Sequence, residues 1–250
     1  MLQGSKAPYP TISVIIPVRN EAQNLQYILP RIPAFVTEVI LVDGHSTDDT
    51  IAVARLLMPT IRVIKQIGHG KGDAVRLGCV YCTGDVIVML DGDGSTDPCE
   101  IGRFVEALQA GYDFAKGSRF IKGGGSRDIT MLRLLGNNCL CLLVNLLFRV
   151  RFSDLCYGYN AFWRYCLEYI EIDCTGFEVE TQISLRMCKS VLSIVEVPSM
   201  EHPRLYGQSN LRTFRDGWRV LRTILKERGS HLFTAPQPRT LLSTPLLPER

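Results

Sequence analysis

Short runs of apolar, mostly β-branched residues alternate with longer amphipathic segments along the first half of the chain. The runs predict five strands, and the segments between them predict four helices. The predicted strands cover residues 12–16, 38–42, 61–65, 85–90 and 112–116, and the predicted helices cover residues 22–31, 46–57, 70–82 and 97–110. This alternation is typical of a doubly wound, mostly parallel α/β sheet, in which ligands bind at the carboxyl ends of the strands.

Polar residues mark the starts of two of these helices. Ser46 has the character of an N-cap, with Asp49 three residues further on, and this pattern predicts a helix start at Ser46. Asp97 and Pro98 combine a capping residue with proline at the first helical position, and Glu100 follows in the first turn. They predict the start of the fourth helix.

The second half of the chain is less regular. Residues 117–128 are glycine-rich and basic and are expected to form a loop, whereas residues 130–148, 177–189 and 211–227 predict helices and residues 191–197 a strand. After Gly229 the chain has four prolines and no periodicity, which predicts disorder for residues 229–250. We therefore expect a short extension at residues 1–10, a single domain over residues 11–228 and a proline-rich tail.

Composition narrows the class of protein. Apolar residues make up 46% of the 250 residues, enough for a sizeable core, and the net charge of +3 argues against a nucleic-acid partner held by bulk electrostatics. The nine cysteines are odd in number and follow no apolar leader, so reduced thiols in a cytoplasmic protein are expected. No run reaches 18 uncharged apolar residues, which predicts a soluble or peripheral protein.

The candidate chemistry lies where predicted strands end. Asp91 and Asp93 follow the fourth strand directly. Two carboxylates at this spacing suit Mg²⁺ or Mn²⁺, ions that usually also hold a substrate phosphate. An acidic turn is the alternative, because aspartate and glycine are common in turns.

Two further strand ends carry acids. Asp43 ends the second strand, where its carboxylate is suited to a base edge or a ribose, while the residues after it also read as a capped helix start. Pro17 stops the first strand, and Glu21 follows it as an acceptor for ribose hydroxyls or as part of an ordinary turn. Residues 68–72 are glycine-rich without the spacing of a P-loop, but Lys71 is suited to a position near phosphate.

Taken together, these motifs resemble family 2 glycosyltransferases over residues 11–120. The resemblance rests on Pro17-x-x-Asn20-Glu21, Asp43-Gly-x-Ser46-x-Asp48-x-Thr50, Gly70-Lys71-Gly72, Gly84-Asp85 and Asp91-x-Asp93. In the second half, polyprenyl-phosphate sugar synthases are resembled by Gly117-Ser118-Arg119, Phe177-Glu-Val-Glu180 and His202-Pro-Arg204-x-x-Gly207-x-Ser209-Asn210. Two positions depart from that pattern: Asn210 replaces the usual lysine, and Ser95 replaces a common glutamine.

The resemblance implies a GT-A fold and an inverting, metal-dependent transfer of a sugar from GDP- or UDP-sugar to a polyprenyl phosphate. It implies a nucleotide-binding half at residues 11–120 and an acceptor half at residues 121–228. The donor-binding residues it implies are Pro17, Arg19, Glu21, Asp43, Ser46, Lys71, Asp91 and Gly92, with Asp91 and Asp93 as metal ligands. The catalytic residues are Asp93, Arg119, Arg204 and Glu180, and the acceptor residues are Ser118, Arg119, Arg127 and Arg133.

The acceptor decides whether a general base is needed. A lipid phosphate is already ionised, whereas a soluble hydroxyl acceptor must lose a proton, for which Glu178 and Glu180 are candidates. A cytosolic transferase with a soluble acceptor is therefore the nearest rival, and a non-turnover nucleotide-sugar-binding module and a nucleotidyltransferase are more distant ones. The resemblance also implies that Asp154 and the segment 157–160 approach the donor sugar.

Two helices bear on the membrane. Residues 130–148 suit either a core helix or a face that meets the membrane and admits a polyprenyl chain. Residues 211–227 are basic and amphipathic, and suit either a solvated face or contact with anionic lipid. The basic residues concerned are Arg212, Arg215, Arg219, Arg222, Lys226 and Arg228. We expect a peripheral enzyme on the inner face of the membrane, with room for a membrane-protein partner.

Overall fold

A seven-stranded sheet forms the centre of the computed structural model, which describes residues 9–209 and 211–230. The strands are β1 (Ile12–Val18), β2 (Glu38–Asp43), β3 (Arg62–Lys65), β4 (Val86–Met89), β5 (Phe114–Ser118), β6 (Gly125–Ser126), β7 (Asn160–Trp163), β8 (Ile194–Pro198) and β9 (Met200–Glu201). The helices are α1 (Ala22–Ile28), α2 (Thr50–Leu57), α3 (Lys71–Tyr81), α4 (Ile101–Gln109), α5 (Met131–Phe148), α6 (Val179–Lys189) and α7 (Thr213–Gly229). Short 3₁₀ turns occupy Leu29–Arg31, Pro98–Glu100 and Arg164–Glu168.

The sheet has the order β3-β2-β1-β4-β7-β5-β8. Strands β3, β2, β1 and β4 are parallel to one another, as are β5 and β8, whereas β7 runs antiparallel to both β4 and β5. The prediction of a mostly parallel α/β sheet is confirmed. Strands β6 and β9 form a separate two-stranded ribbon. Strand β6 lies within residues 117–128, which are expected to form a loop, and β9 follows β8 much later in the chain.

The sheet separates two apolar layers because successive side chains of a strand point to opposite faces. Val14 and Ile16 of β1 pack with α1, α2 and α4, while Ile15 packs with α3 and α6. A methyl group on Gly78 would lie 2.5 Å from Ile15 Cγ2, so this glycine lets α3 approach β1 closely. Full burial of a side chain such as Ile15 stabilises the fold by about 1.5–3 kcal/mol.

Helix boundaries differ from the predicted ones where side chains bond outside their own helix. Helix α2 begins at Thr50 rather than at Ser46, because the Ser46 hydroxyl accepts a hydrogen bond from the backbone N–H of Asn20 (2.9 Å) instead of capping the helix. Asp97 does cap, accepting from the N–H of Cys99 (2.9 Å), although the first turn there is 3₁₀. The hydrogen bond between Asn20 and Ser46 joins the loops that follow β1 and β2.

Helices α5 and α7 pack side by side on a third apolar cluster. Of the 18 residues of α5, only Asn137, Cys141 and Val144 are buried, so this helix is not a core helix. By length and composition alone it is also the one described helix that could cross a membrane, whereas the sequence analysis expected no spanning segment. The expected N-terminal extension and tail lie, apart from residues 9–10 and 229–230, outside the described residues.

Candidate active site

A cavity of about 470 Å³ opens at the carboxyl ends of β1, β2 and β4, where the fold predicts a ligand. Helix α3, the segment 202–209 and the start of α7 complete its walls. Eight of the predicted site residues line it: Pro17, Arg19, Glu21, Lys71, Asp91, Gly92, Asp93 and Arg204. The topology therefore gathers into one wall residues that lie up to 187 positions apart in the chain, counted from Pro17 to Arg204.

Lys71 lies between two carboxylates at the floor of this cavity. Its Nζ is 2.5 Å from Asp91 Oδ1 and 2.6 Å from Glu180 Oε1. Burial lowers the pKa of the ammonium, but the two carboxylates outweigh it and raise the pKa above its ordinary value. Burial raises the pKa of Glu180, against the opposing effect of Lys71. Lys71 thus remains a cation, and it fixes the position of Asp91.

Arg204 makes a comparable bridge at the other side of the site. Its guanidinium contacts both oxygens of Glu21, at 2.6 and 3.0 Å, and its Nε lies 3.6 Å from Asp93 Oδ2. Asp93 also accepts from the hydroxyl of Ser95 (2.6 Å). Burial raises the pKa of Glu21, although hydrogen bonds from Arg204 and Asn24 oppose this effect. Arg204 therefore stands where it can exchange a carboxylate partner for a phosphate.

The donor set at Asp91 and Asp93 suits a divalent ion that is shared with a ligand. Within residues 9–209 and 211–230, no group of three or more His, Cys, Asp and Glu side chains is arranged to hold an ion. Two carboxylates, each about a quarter exposed, match the way Mg²⁺ binds through one or two carboxylates and substrate phosphates. The residues present fit such an ion only together with a phosphate ligand.

Asp43 and Ser46 lie behind the cavity wall. Asp43 is 4% exposed, and its carboxylate accepts from the backbone N–H of Ser46 (3.3 Å). Gly44 and Gln66 line the cavity where β2 ends. Neither Asp43 nor Ser46 lines the cavity, so the donor contact predicted for them stays a prediction.

A second cavity, of about 220 Å³, adjoins the first. Its outer walls come from α5 and α7, including Leu132, Leu140 and Val220. The two cavities share six lining residues: Asp91, Asp93, Phe177, Arg204, Ser209 and Asp216. A polar cavity and a largely apolar one therefore meet at the carboxylate pair.

The predicted acceptor residues are placed unequally. Arg119 lines the second cavity, but its guanidinium is bidentate to Asp154 (2.7 and 3.0 Å) and also contacts Glu201 (3.0 Å). Ser118 is fully buried, and its hydroxyl bonds to that of Ser153 (2.6 Å); it packs inside the domain and does not face an acceptor. Strand β5 ends at Ser118, and Arg119 lies in the bend that follows it, so the two neighbouring side chains have different surroundings.

Arg133 and Arg127 lie further out. Arg133 lines the second cavity, one third exposed, with Asp128 3.9 Å away. Arg127 is exposed, and it lines neither cavity. Of the two, only Arg133 lines a cavity, and the acceptor role of both stays a prediction.

Glu178 and Glu180, the candidate general bases, each pair with a cation that lines the first cavity. Glu180 is 2% exposed beneath Lys71, and Glu178 accepts from Arg219 (2.8 Å) and from the N–H of Gly176 (3.2 Å). Neither lines a cavity, so the structure does not support the catalytic role predicted for Glu180. The reason is the ion pair with Lys71, which sequence spacing does not reveal.

The structure also adds residues that the sequence reasoning assigned elsewhere. Arg212, Arg215 and Arg219 line the first cavity, although they were considered for contact with lipid or solvent. Gln66 and His69 line it from the loop before α3. The basic run of α7 was visible in the sequence, but which arginines face inward depends on how α7 packs against α5 and α6.

The fold and this site define an α/β protein with a cavity lined by charged groups at the carboxyl ends of parallel strands. The family model for glycosyl transferase family 2 matches residues 13–170. The chain belongs to that family.

Relatives of known name agree with this assignment. The chain is 32% identical over 212 residues to polyprenol monophosphomannose synthase of Mycolicibacterium smegmatis, covering 79% of this chain and 80% of that one. It is 30% identical over 212 residues to glycosyltransferase AglJ of Haloferax volcanii, covering 82% and 68% respectively. The fold matches glucosyl-3-phosphoglycerate synthase from Mycobacterium tuberculosis, solved with Mn²⁺, UDP and glucosyl-3-phosphoglycerate, with a TM-score of 0.69, 24% identity and coverage of 88% and 80%.

Proposed function

We propose that this family 2 glycosyltransferase moves a sugar, with inversion, from a nucleoside diphosphate sugar to a polyprenyl phosphate. The observation that carries the proposal is the meeting of the two cavities at Asp91, Asp93 and Arg204. One cavity is lined by charged groups suited to a diphosphate, and the other is walled by aliphatic side chains of α5 and α7. The synthase of M. smegmatis, named for a polyprenol product, supports the same class of acceptor.

The donor side follows from charge. Lys71 and Arg204 would face the diphosphate, and arginine is suited to bidentate phosphate contacts. Asp91 and Asp93 would hold Mg²⁺ or Mn²⁺, which neutralises charge on the leaving nucleoside diphosphate. A diphosphate that draws Lys71 or Arg204 towards itself would free carboxylate oxygens of Asp91 and Asp93. The ion pairs with Lys71 and Arg204 would therefore hold the two carboxylates in place before the donor binds.

The acceptor side follows from protonation and shape. A phosphate monoester is ionised near neutral pH, so it attacks without a general base, in agreement with the buried positions of Glu178 and Glu180. Arg133 is suited to orient the acceptor phosphate, while Arg119, held by Asp154 and Glu201, supports the wall behind it. The first isoprene units would lie along the aliphatic wall between α5 and α7.

Transfer to lipid is the direct test. The purified chain is incubated with labelled GDP- or UDP-sugar, Mn²⁺ and a polyprenyl phosphate in detergent, and label is measured in the chloroform phase. Chloroform-extractable label with inverted anomeric configuration is expected. Asp93→Asn should abolish it, whereas Asp49→Asn, an exposed acid outside both cavities, should not. In a parallel incubation with a cell extract as the source of other acceptors, label found only in an aqueous product would favour a soluble hydroxyl acceptor.

The donor base is addressed separately by thermal shift. GDP, UDP and dTDP are compared with and without Mn²⁺, and a metal-dependent rise in Tm for one of them identifies the base. No shift with any of the three would contradict the donor-site assignment. The proposal places the donor mainly against residues 11–120, with Arg204 and the start of α7 closing the cavity, and the acceptor against residues 121–228, at the cytoplasmic surface of a membrane.

A further inference from the structure

An exposed apolar surface covers the outer side of α5 and α7. It consists of Leu135, Leu142 and Leu146 on α5 and of Phe214, Trp218 and Leu225 on α7, with exposed fractions from 56% to 80%; these six residues are called the α5–α7 face below. The spacings of four and seven residues place each set along one side of its helix. Both helices pack their opposite sides on one apolar cluster, so the two stripes point the same way.

The exposed charges on the two helices of this face are all positive. Both acids of α7, Asp216 and Glu227, are buried on the inner side of the helix, and α5 contains no acid. Arg222 and Arg228 are exposed and form no ion pair among the described residues. The outer surface of the helix pair thus combines aliphatic groups, a tryptophan and cations, without a carboxylate of its own.

We infer that the α5–α7 face docks the enzyme on an anionic lipid bilayer. Aliphatic and aromatic side chains bury themselves at the boundary between headgroups and acyl chains, and tryptophan favours that boundary. Unpaired arginines beside them meet the negative surface of the bilayer. Other strongly exposed apolar residues, such as Leu56, Ile67 and Val191, lie singly elsewhere and are ordinary for a protein surface.

Docking in this orientation has a consequence for the second cavity. Leu132 and Gly136 of α5 and Thr213 and Gly217 of α7 line that cavity, on the same two helices that carry the face. Methyl groups added at Gly136 or Gly217 would meet no atom within 4 Å, so the gap between the helices is open. The mouth of the second cavity would therefore lie at the lipid surface. That this cavity receives a lipid acceptor rests on the proposed function, whereas docking on the bilayer does not.

The test measures binding to vesicles. The full chain is sedimented with vesicles of phosphatidylglycerol and phosphatidylcholine, and with phosphatidylcholine alone. Binding is expected to require phosphatidylglycerol and to weaken with salt. The variant Phe214→Ser/Trp218→Ser should lose at least about tenfold in partitioning, and Leu56→Ser, equally exposed on α2, should lose nothing. Arg222→Ala/Arg228→Ala should lose about fivefold per charge, against the exposed control Arg55→Ala.

A spectroscopic readout tests the face itself. Trp163→Phe leaves Trp218 as the single tryptophan, and its emission should shift to the blue when phosphatidylglycerol vesicles are added. No shift, equal vesicle binding by Phe214→Ser/Trp218→Ser, or absence of binding by the unmodified chain would each overturn the inference. The inference would also be overturned if the unmodified chain formed a dimer without binding vesicles and Phe214→Ser/Trp218→Ser were monomeric. A second copy of the chain would then cover the face.

Activity separates this inference from the proposed function. Phe214 and Trp218 line neither cavity, so the double variant should keep its transfer to a polyprenyl phosphate short enough to dissolve without detergent. Retained soluble transfer with lost vesicle binding supports docking. Vesicle binding by the unmodified chain without transfer to any polyprenyl phosphate would sink the proposed acceptor and leave the docking surface standing.

Discussion

Gly158 gives the sharpest test of the metal site, because it touches Asp91 without taking part in chemistry. A methyl group there would lie 2.5 Å from Asp91 Oδ2 and 2.7 Å from Lys71 Nζ. Ordinary contacts are about 3.5 Å, so the carboxylate must retreat by about 1 Å. A displacement of that size at a reacting centre costs on the order of 10²-fold in rate, or about 2.7 kcal/mol. Gly158→Ala should therefore lose about 10²-fold in sugar transfer.

Stability should change much less than activity. The backbone of Gly158 is not left-handed, and Asp91 is a partly exposed side chain that can move, so the free energy of unfolding should stay within about 1 kcal/mol. The assay is release of nucleoside diphosphate against Mn²⁺ concentration, beside urea unfolding. Gly102→Ala is the control, since its methyl would meet Phe35 at 3.8 Å. Unchanged rate and Mn²⁺ dependence in Gly158→Ala would refute the role given to Asp91.

Three further outcomes are expected. Glu180→Gln keeps a partner for Lys71 and should lower transfer by about tenfold or less, whereas loss of a general base costs 10²–10⁴-fold. The pKa of Asp113 is lowered: burial raises it, but hydrogen bonds from a tyrosine and a serine outweigh burial. The ionised Asp113 therefore stabilises the fold above pH ~4, and this stabilisation is lost as pH falls. Asp113→Asn should lower the free energy of unfolding, measured with urea, by about 1 kcal/mol at pH 7 and by less at pH 3.5. Glu227→Ala leaves Arg186 buried without its nearest carboxylate (2.7 Å) and should cost about 3–5 kcal/mol in the same measurement.

Much of the fold was predictable because local pattern and burial agree in this chain. The apolar runs that predict β1, β2 and β4 are the strands at the centre of the sheet, and they are buried on both faces. Strand ends were less predictable. Strand β5 starts at Phe114 rather than Tyr112, because the Asp113 carboxylate accepts a hydrogen bond from the backbone N–H of Ser193. Pairing partners remote in the chain decide such boundaries.

The site divides in the same way. That Asp91 and Asp93 end a buried strand is a property of the sequence, and it suffices to predict a charged ligand at the sheet edge. That Glu180 lies under Lys71 instead of facing a ligand depends on the docking of α6 against α3, more than a hundred residues away in the chain. The sequence shows which groups are available, but not which of them neutralise each other.

By itself, then, the sequence determined the strand–helix alternation, the carboxylates at strand ends and the basic, amphipathic character of α7. Periodicity and residue type carry these features, because each depends on neighbours within a few positions. Only the tertiary structure decided that β7 runs antiparallel to its neighbours. It also decided that Arg212 and Arg219 line the first cavity while Trp218 is exposed outside it, and that Ser118 is buried beside Arg119. These outcomes depend on which remote surfaces pack together, and packing is set by the whole chain at once.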